Sequence, residues 1–250
     1  MTKNFYDKVA KKFGDYQNSY KVIREFPNGD PEAIFKQKLL EVSGKNKIAL
    51  DSGCADGVFT LSIAPHFQKI VAVDNSQGML LAAKRYQLKS KVKNVEFVRR
   101  NIYKTDFPAG SFDVVYNRRG PDNFPLFYKI LKHGGHYISV DIGEKDAQAI
   151  KEVFGRGQNF GEWNKSYLEK EIATLEKLGF EIIYSGDFFC SEYYLSRADL
   201  NLFLQGVPIF EDYDFEKDKR LFDEYVRKFK KEKGIELSRH RLVVVARKKA

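Results

Sequence analysis

Short apolar runs, each followed by a polar residue, alternate with segments of helical periodicity along much of the chain. Continuous apolar runs indicate strands buried on both faces, and the segments between them indicate helices that cover a parallel sheet. We predict strands at residues 47–51, 70–74, 95–98, 111–117, 137–141, 180–195 and 241–247. The pattern therefore predicts an α/β fold with a mostly parallel sheet and helices on both of its faces.

Helix signals precede the first of these strands. Five apolar or aromatic residues recur at spacings of three and four and predict an amphipathic first helix, namely Phe5, Tyr6, Val9, Phe13 and Tyr16. Asp30 followed by Pro31 is typical of an N-cap and first helical residue, and it predicts a second helix. We expect these elements to form an N-terminal helical cap over residues 1–45, whose aromatic side chains either belong to the core or cover a ligand.

The final part of the chain has a different character. Helices are predicted over residues 146–154, from an N-cap at Asn164, and from a capping box formed by Ser196 and Asp199, with a basic helix after them. We expect residues 196–239 to be a helical insertion before the last strand that acts as a lid or substrate wall. Six aromatic residues near it either line an apolar pocket or pack the insertion onto the sheet: Tyr193, Tyr194, Phe203, Phe210, Tyr213 and Phe215.

Composition bounds the class of protein. The 250 residues, 43% hydrophobic and 31% charged, fit one domain with a core at residues 46–195 and a last strand at 240–250. No apolar run approaches the roughly 20 residues that cross a bilayer, and the chain starts with polar residues, so we expect a cytoplasmic protein without membrane contact. Cys54 and Cys190 share no metal-ligand spacing, so no metal site is expected.

The positive charge is concentrated near the end of the chain. The formal net charge is +9, and residues 215–250 carry 13 Lys and Arg against six Asp and Glu, a surplus of seven. A basic flank of this kind can attract RNA, a membrane surface or an anionic small molecule through its long-range field. It can equally be the solvated face of a helix.

A small-residue loop follows the first strand, between Asp51 and an amphipathic segment that starts at Val58. A strand, a loop with Gly53 and Gly57, and a helix form the layout of a nucleotide site, although the loop alone also fits a tight turn. Asp74 comes 17 residues after Gly57 at the end of the second strand, where a carboxylate can accept both hydroxyl protons of a ribose.

The other predicted strands carry the same signature. Polar residues end or follow each of the first five strands, namely Asp51, Asp74, Asn101, Asn117 and Asp141. In an open parallel sheet, ligands bind beyond the carboxyl ends of the strands, where the strand order reverses. We therefore expect one ligand site at this edge of the sheet.

Four blocks of the chain, residues 49–60, 71–80, 112–117 and 130–139, together resemble the class I S-adenosylmethionine-dependent methyltransferases, and the first helix is similar to the opening of their small-molecule branch. The resemblance implies a Rossmann-like sheet of seven strands, mostly parallel, with the last strand inserted antiparallel. It also implies S-adenosyl-L-methionine as the cofactor. Ala55 stands where the family usually has a glycine, and Asn101 stands where an aspartate is common.

Carried over residue by residue, the resemblance implies a cofactor site in three parts. The methionine end would be surrounded by Asp51, Gly53, Cys54, Ala55 and Gly57, and the ribose would contact Asp74 and Asn75. Asn101 and Ile102 would flank the adenine, with Met79 on the other side of the ring. Asn117 would border the reaction chamber. No metal is implied.

The predicted chemistry requires mainly positioning, because the sulfonium methyl group is already activated for in-line displacement. Where the acceptor must lose a proton, a base is also needed. Our candidates for catalytic residues are Asp141, Arg118 and Tyr16, with Glu144 and Arg119 as further helpers. The sequence after Asn117 lacks the Pro-Pro-aromatic pattern of enzymes that methylate exocyclic base amines.

We therefore predict an enzyme that methylates a small or medium-sized acceptor. An RNA methyltransferase, acting on rRNA or tRNA through the basic C-terminal region, is the alternative. A nicotinamide-dependent oxidoreductase is a third class, although the loop lacks the G-x-G-x-x-G spacing. A domain that binds the cofactor without transferring its methyl group is a fourth. The sequence names neither the acceptor nor the oligomeric state.

Overall fold

The computed structural model describes residues 4–15 and 19–249, so Tyr16 lies outside the described residues. The helices are α1 (Asn4–Phe13), α2 (Pro31–Glu41), α3 (Val58–Ile63), α4 (Gln77–Ser90), α5 (Phe124–Ile130), α6 (Gln148–Phe154), α7 (Tyr167–Lys177), α8 (Arg197–Gly206) and α9 (Phe215–Phe229). The strands are β1 (Val22–Glu25), β2 (Gly44–Ser52), β3 (Phe67–Asp74), β4 (Val95–Arg99), β5 (Phe112–Arg118), β6 (Leu131–Ile142), β7 (Phe180–Tyr194), β8 (Lys230–Lys231) and β9 (Gly234–Lys248).

One mixed sheet has the strand order β1-β7-β9-β6-β5-β2-β3-β4, with β8 paired to β9. The five strands from β6 to β4 are parallel to one another, and β9 is antiparallel to both β6 and β7. This confirms the mostly parallel sheet and the antiparallel last strand. Among the residues that the structure describes, the sheet has nine strands rather than the predicted seven. The two additions are β1 and β8, which are only four and two residues long and lack apolar alternation.

Both faces of the sheet are buried, which explains the continuous apolar runs in the sequence. Successive strand residues face opposite sides, and Ala49 joins one core cluster while Leu50 joins the other. Val114 and Val115 alternate in the same way. Helices α2 to α4 cover the first face, and α5 and α7 cover the second.

The caps and boundaries agree with the sequence in part. Asp30 accepts hydrogen bonds from the backbone of Glu32 and Ala33, and Ser196 accepts one from Asp199, so these two caps are confirmed. The prediction for Asn164 is wrong, because the N-cap of α7 is Ser166, whose hydroxyl accepts from the amide of Glu169. Strands β2 and β6 also begin three and six residues before the predicted positions, at Gly44 and Leu131.

The insertion packs around a long pair of strands. Strand β9 pairs with β6 only up to Arg241, whereas its pairing with β7 continues to Ile235, beyond the carboxyl edge of β6. Helices α6, α8 and α9 pack against this extension and share a third core cluster. Of the six predicted aromatic residues, five belong to this cluster or pack against it: Tyr194, Phe203, Phe210, Tyr213 and Phe215. They therefore hold the insertion in place.

The strand order reverses between β2 and β5. The chain moves from β2 outward through β3 and β4, then crosses to β5 on the other side of β2 and continues to β6. Because these strands are parallel, their carboxyl ends lie at one edge, and the crossing leaves a crevice there. None of the described helices combines the length and the apolar character that a membrane span requires.

Candidate functional site

A cavity of about 470 Å³ lies at this edge of the sheet. One part of its lining comes from the loops after β2, β3 and β4 and carries Asp51, Asp56 and Asp74; we call it the acidic half. The other part comes from the loop after β5, from α6, from residues 207–209 and from β9; we call it the basic half. Its charged side chains are Arg118, Arg119, Lys151 and Arg239, and the carboxyl groups among them are those of Asp122 and Asp146.

The loop after β2 is shaped by backbone conformations that disfavour side chains. Gly53 has a φ of +86°, and a Cβ at this position would lie 2.8 Å from the Cδ of Pro121. The amides of Gly53 and Cys54 both donate to the carbonyl of Val73, at 2.9 and 3.0 Å. Ala55 also lies in the left-handed region, with a φ of +48°. Alanine here takes a left-handed conformation that a glycine adopts without steric cost, which explains why the family usually has a glycine at this position.

Asp51 places a buried carboxylate at the cavity wall. One of its oxygens, Oδ2, accepts hydrogen bonds from the hydroxyls of Thr60 and Tyr116, at 2.6 and 2.8 Å. Burial raises the pKa of Asp51 to about 6, against the lowering effect of these two hydroxyls. Within the described ranges, no Lys, Arg or His forms an ion pair with it. A cationic group of a ligand would therefore complete its environment.

Asp74 organises the loop and also faces the cavity. Its Oδ2 accepts from the amide of Ala55 at 2.9 Å, and its Oδ1 accepts from the amide of Ser76 at 2.8 Å. Burial raises the pKa of Asp74, and the backbone donors oppose that shift. A carboxylate has about four lone-pair sites, so each oxygen can accept one further hydrogen bond. Asn75 lines the cavity beside it.

Asn101 and Ile102, which follow β4, also line the cavity. The side-chain oxygen of Asn101 accepts from the amide of Tyr103 at 2.9 Å. Ile102 is only 2% exposed and belongs to the core, so it offers a rigid apolar surface. Tyr103 lines the cavity next to them and was not predicted.

Three predicted cofactor residues lie outside the cavity lining. Gly57, with a φ of +72°, is the N-cap of α3, and a Cβ there would lie 2.5 Å from the ring of Phe97. Met79 is fully buried among side chains of α1. The side-chain nitrogen of Asn117 donates to the carbonyl of Gly120 and to Asp122 Oδ1, and its side-chain oxygen accepts from the backbone amide of Gly120. Asn117 thus fixes the conformation of the loop after β5 without lining the cavity. These residues build the site without facing it.

The predicted catalytic residues have separate locations. Arg118 lines the cavity, and its Nε donates to Glu32 at 2.7 Å while its guanidinium lies over the ring of Phe59. Asp141 does not line the cavity, and its Oδ2 is buried without a hydrogen-bond partner. Burial raises the pKa of Asp141 well above its usual range, with Asp122 as the next contribution. Tyr16 lies outside the described residues.

The two additional candidates, Arg119 and Glu144, form contacts with other parts of the chain. Arg119 lines the cavity and, like Arg118, forms an ion pair with Glu32 of α2. Glu144 does not line it, because its carboxylate accepts from the amide of Tyr167 and lies beside His240. Asp122 is a cavity carboxyl that the sequence analysis missed, and burial raises its pKa to about 6.

The first helix contributes to the acidic half in a way that its periodicity did not reveal. Tyr6 lines the cavity, whereas Phe5 and Val9 are core residues. The carboxylate of Asp7 accepts from the hydroxyl of Ser76 at 2.5 Å and from the amide of Gly78 at 3.2 Å. Helix α1 is thereby attached to the loop after β3. An acidic residue next to an aromatic pair is too common a pattern to have indicated this.

The basic half is the part of the site that the sequence analysis missed most completely. Lys151 and Arg239 are 3% and 6% exposed, and they lie on α6 and on β9. Arg239 binds the carboxylates of Asp146 and Glu192. Backbone hydrogen bonds from Gly143 and Ala147 to the carbonyls of His240 and Ser238 bring these segments together across a long stretch of sequence. No local sequence signal links them.

Metal and thiol chemistry receive no support at this site. Across residues 4–15 and 19–249 there is no group of three or more His, Cys, Asp or Glu side chains arranged to hold a metal ion. Burial raises the pKa of the Cys54 thiol well above its usual range, and that of Cys190 also rises for the same reason. Both cysteines are thus held as neutral thiols.

Comparisons with known proteins agree with this geometry. A family model described as a methyltransferase domain matches residues 49–135. A Dictyostelium discoideum protein that carries a methyltransferase name is 29% identical over 157 residues, covering 58% of this chain and 56% of that protein. The demethylmenaquinone methyltransferase of Lactococcus lactis is 26% identical over 167 residues, covering 62% of this chain and 66% of that enzyme. The matches span less than two thirds of these relatives.

A solved structure shares the fold. The YcgJ protein of Bacillus subtilis superposes with a TM-score of 0.62 at 17% identity, covering 87% of this chain and 99% of that chain. In sequence, this uncharacterized methyltransferase is 27% identical over 179 residues, covering 64% of this chain and 70% of that protein. The sequence matches, the strand order and the loop after β2 agree with one another. These findings support a class I S-adenosylmethionine-dependent methyltransferase, a family in which S-adenosylmethionine is the methyl donor.

Proposed function

We propose that the protein transfers a methyl group from S-adenosylmethionine to a small organic acceptor that binds in the basic half of the cavity. The observation that carries this proposal is that one cavity joins the two halves. The acidic half holds the nucleotide-type loop of the family. The basic half is lined by residues 207–209 of the insertion and by side chains of α6 and β9. Donor and acceptor can therefore occupy one enclosed space.

The residues of the acidic half fit the cofactor. Asp51 supplies a carboxylate for the amino group of the methionine part. Asp74 retains one acceptor site on each oxygen, which suits the two hydroxyls of a ribose. Ile102 provides an apolar surface for the adenine ring, and the conformation of Gly53 allows the backbone to approach the ligand closely.

The chain contributes positioning and exclusion of water. S-adenosylmethionine supplies an activated methyl group on its sulfonium, and in-line transfer requires the acceptor atom to be held on the far side of that group. Val207, Pro208 and Ile209 form an apolar wall where the acceptor would lie. Asp122 faces the same space, with Asn117 and the hydroxyl of Tyr137 bound to its Oδ1. Its carboxylate is a group that can take a proton from the acceptor.

The names of relatives support a small acceptor. They include the demethylmenaquinone methyltransferase, a sterol 24-C-methyltransferase of Debaryomyces hansenii and a phosphoethanolamine N-methyltransferase of Arabidopsis thaliana. The fold alone does not establish transfer, because the [4+2]-cyclase SpnF shares it with a TM-score of 0.59 at 15% identity. Turnover must therefore be measured as well as binding.

The test has two stages. Calorimetry should show binding of S-adenosylhomocysteine and none of NAD, and tight binding of NAD alone would refute the proposal. Incubation with S-adenosylmethionine and pools of small quinones, phenols, amines and carboxylic acids should then release S-adenosylhomocysteine with at least one pool. The Asp74→Ala variant serves as the control for contaminating enzymes. Binding without release from any pool would favour a cofactor-binding domain.

RNA methylation is a rival outcome with little support. Several basic residues of the C-terminal stretch form ion pairs with acids outside it, including Lys233 with Glu25, Arg239 with Asp146 and Arg247 with Glu181. These ion pairs neutralise part of the positive charge on which the RNA alternative was based. Salt-sensitive retention of RNA by the purified protein would favour the RNA reading, and elution free of nucleic acid would count against it.

A further inference from the structure

We propose that the acceptor carries an anionic group, a carboxylate or a phosphate, which binds Lys151 in the basic half while an apolar body packs on residues 207–209. This inference rests on the proposed function, because it assigns the chemical class of the acceptor to that cavity. Four observations support it. Lys151 is buried, it has no carboxylate partner among the described residues, the nearby carboxylate of Asp146 already accepts hydrogen bonds from other groups, and residues 207–209 form an apolar wall of the same cavity.

Lys151 is a buried cation on the cavity wall. Its side chain lies on α6 and is 3% exposed, yet it lines the cavity. Its Nζ donates one hydrogen bond, to the backbone carbonyl of Asp146 at 2.7 Å. An ammonium group has three donors, so two donors remain. No ion pair joins Lys151 to any carboxylate in the part of the chain that the structure describes.

The carboxylate of Asp146 lies near Lys151 but forms no ion pair with it, because its oxygens already accept hydrogen bonds from other groups. Asp146 Oδ1 accepts from Arg239 Nε at 2.9 Å, from Arg241 at 2.6 Å and from the amide of His240 at 3.1 Å. Its Oδ2 accepts from the other end of the Arg239 guanidinium at 3.3 Å. The two arginines hold the pKa of Asp146 well below its usual range despite its burial. This carboxylate is therefore ionised and already satisfied.

The local charge balance leaves a positive excess. Arg239 pairs with Asp146 and Glu192, Arg241 pairs with Asp146, and Lys151 binds the backbone carbonyl of Asp146, which gives three positive groups and two carboxylates in this cluster. Arg24, which also pairs with Glu192, adds a further positive charge at the protein surface. Burial lowers the pKa of Lys151, and Asp146 opposes that shift. An anion in the cavity would stabilise the charged form of the lysine and use its remaining donors.

The other neighbours of Lys151 define the rest of the acceptor. The ring of Trp163 lies 5.5 Å from its Nζ, an interaction that is weaker than a buried ion pair. Val207, Pro208 and Ile209 line the cavity on the side of the insertion, and Ile142 at the end of β6 lines it as well. A molecule with an apolar body and one acid group matches this lining, whereas a cationic acceptor does not.

Simple probes test the charge requirement before any acceptor is known. Hexanoate and hexyl phosphate carry the proposed anion, and hexanol and hexylamine are the uncharged and cationic controls of similar length. Calorimetry is performed with and without saturating S-adenosylhomocysteine. We expect the anionic probes to bind at least about tenfold more tightly than either control. The difference between hexanoate and hexyl phosphate shows which acid group the site prefers.

Three variants assign the effect to Lys151. Lys151→Met removes the charge and keeps the length, Lys151→Arg keeps the charge, and Lys84→Met removes a charge from the exposed side of α4. We expect Lys151→Met to lose roughly tenfold in affinity for the anionic probes, Lys151→Arg to retain most of it and Lys84→Met to match the unaltered protein. Circular dichroism and the melting temperature confirm that each variant is folded.

Several outcomes would overturn the inference. Equal affinity for hexanol and hexanoate would remove the charge requirement, and unchanged affinity of folded Lys151→Met for the anions would assign their binding elsewhere. A loss of affinity for S-adenosylhomocysteine in Lys151→Met would show that the lysine serves the cofactor instead. Failure of the proposed function is distinguishable, because the unaltered protein would then either not bind S-adenosylhomocysteine or not release it from S-adenosylmethionine with any acceptor pool, whatever the response to the anionic probes.

Discussion

The two halves of the cavity differ in how the chain builds them. The acidic half is assembled from consecutive loops, each directly after a strand of the parallel sheet, with Asp51, Asp74 and Asn101 at successive strand ends. The basic half combines side chains from α6, from the loop after α8 and from β9, which are far apart in sequence. A site formed by polar residues at the ends of successive strands can be predicted from sequence. A site that depends on long-range contacts cannot.

The halves also differ in charge, and the difference suits two ligands. Asp51 and Asp74 are buried carboxylates that accept hydrogen bonds only from hydroxyls and backbone amides. Lys151 is a buried cation with one backbone partner. A cationic amino group is favoured in the first environment and an anion in the second. Substitutions in one half therefore test whether binding of a ligand in the other half changes as well.

The largest expected effect comes from Gly53→Ala in the acidic half. The added Cβ would lie 2.8 Å from Pro121 and would sit at a φ of +86°, so the loop after β5 must move away from the loop after β2. We expect the affinity for S-adenosylhomocysteine to fall by about 100-fold or more in calorimetry. Binding of hexanoate should change much less.

Gly110→Ala is the matched control for this prediction. Gly110 also has a positive φ, +64°, but a Cβ there meets nothing within 4 Å. Both substitutions incur a backbone strain of roughly 1–2 kcal/mol, which appears in the melting temperature. If Gly110→Ala weakened binding as much as Gly53→Ala, strain rather than the close approach of the two loops would explain the loss.

The same contrast shows what could be predicted from the sequence. The parallel core and the polar residues at the strand ends followed from apolar runs and caps, whereas the antiparallel β9 and most residues of the acidic half were implied by the family resemblance. Gly57 and Met79 were predicted to contact the ligand. In the structure, Gly57 is the N-cap of α3, and Met79 is buried against α1. Lys151 and Arg239 gave no signal, because they are far apart in sequence and the contacts that join α6 to β9, such as that of Ala147 with Ser238, are long-range.

The second prediction concerns Asp74→Ala. This change removes two acceptors of backbone hydrogen bonds, from Ala55 and Ser76, together with the acceptors that we assign to the ribose. We expect a loss of roughly 30-fold in affinity for S-adenosylhomocysteine. Asp113→Ala is the control, because Asp113 also accepts a backbone hydrogen bond, from Ile48, but lies outside the cavity lining. Equal losses in both variants would mean that general destabilisation, not the ribose contact, is being measured.

The third prediction is a pH dependence of cofactor binding. Burial raises the pKa of Asp51 to about 6, so this carboxyl is mostly protonated at pH 5 and mostly ionised at pH 7. We expect the affinity for S-adenosylhomocysteine to fall about tenfold from pH 7 to pH 5, because one charge on the protein is neutralised. Asp51→Asn should bind more weakly at pH 7 and show a flatter profile. An unchanged profile in that variant would assign the titration to another group.

Protonation of Asp51 does not itself destabilise the folded protein at pH 5. The pKa of Asp51 in the folded protein lies above its ordinary value of 3.8. The folded state therefore binds this proton more tightly than the unfolded state, and the contribution of Asp51 to stability is largest at acid pH and is lost as the pH rises through about 6. Melting temperatures at pH 5 and pH 7 measure this separately from binding.

The smallest expected effect is that of Glu32→Gln at the boundary between the halves. Glu32 pairs with both Arg118 and Arg119, whose loop also contacts Gly53 through Pro121. These side chains are partly exposed, so the loss of unfolding free energy should be only about 0.5–1 kcal/mol. Glu41→Gln is the control, because Glu41 lies on the same helix and pairs with Lys38.

If the halves are independent, Glu32→Gln should leave the affinity for S-adenosylhomocysteine within about twofold, because a partly exposed ion pair contributes little. The affinity for hexanoate should rise slightly, because the change removes one negative charge beside two cavity-lining arginines. A large loss of cofactor affinity, absent from Glu41→Gln, would contradict this separation. It would show that the loop after β5, held by Glu32, fixes the conformation of Gly53, and that an acceptor which moves this loop also changes the cofactor site.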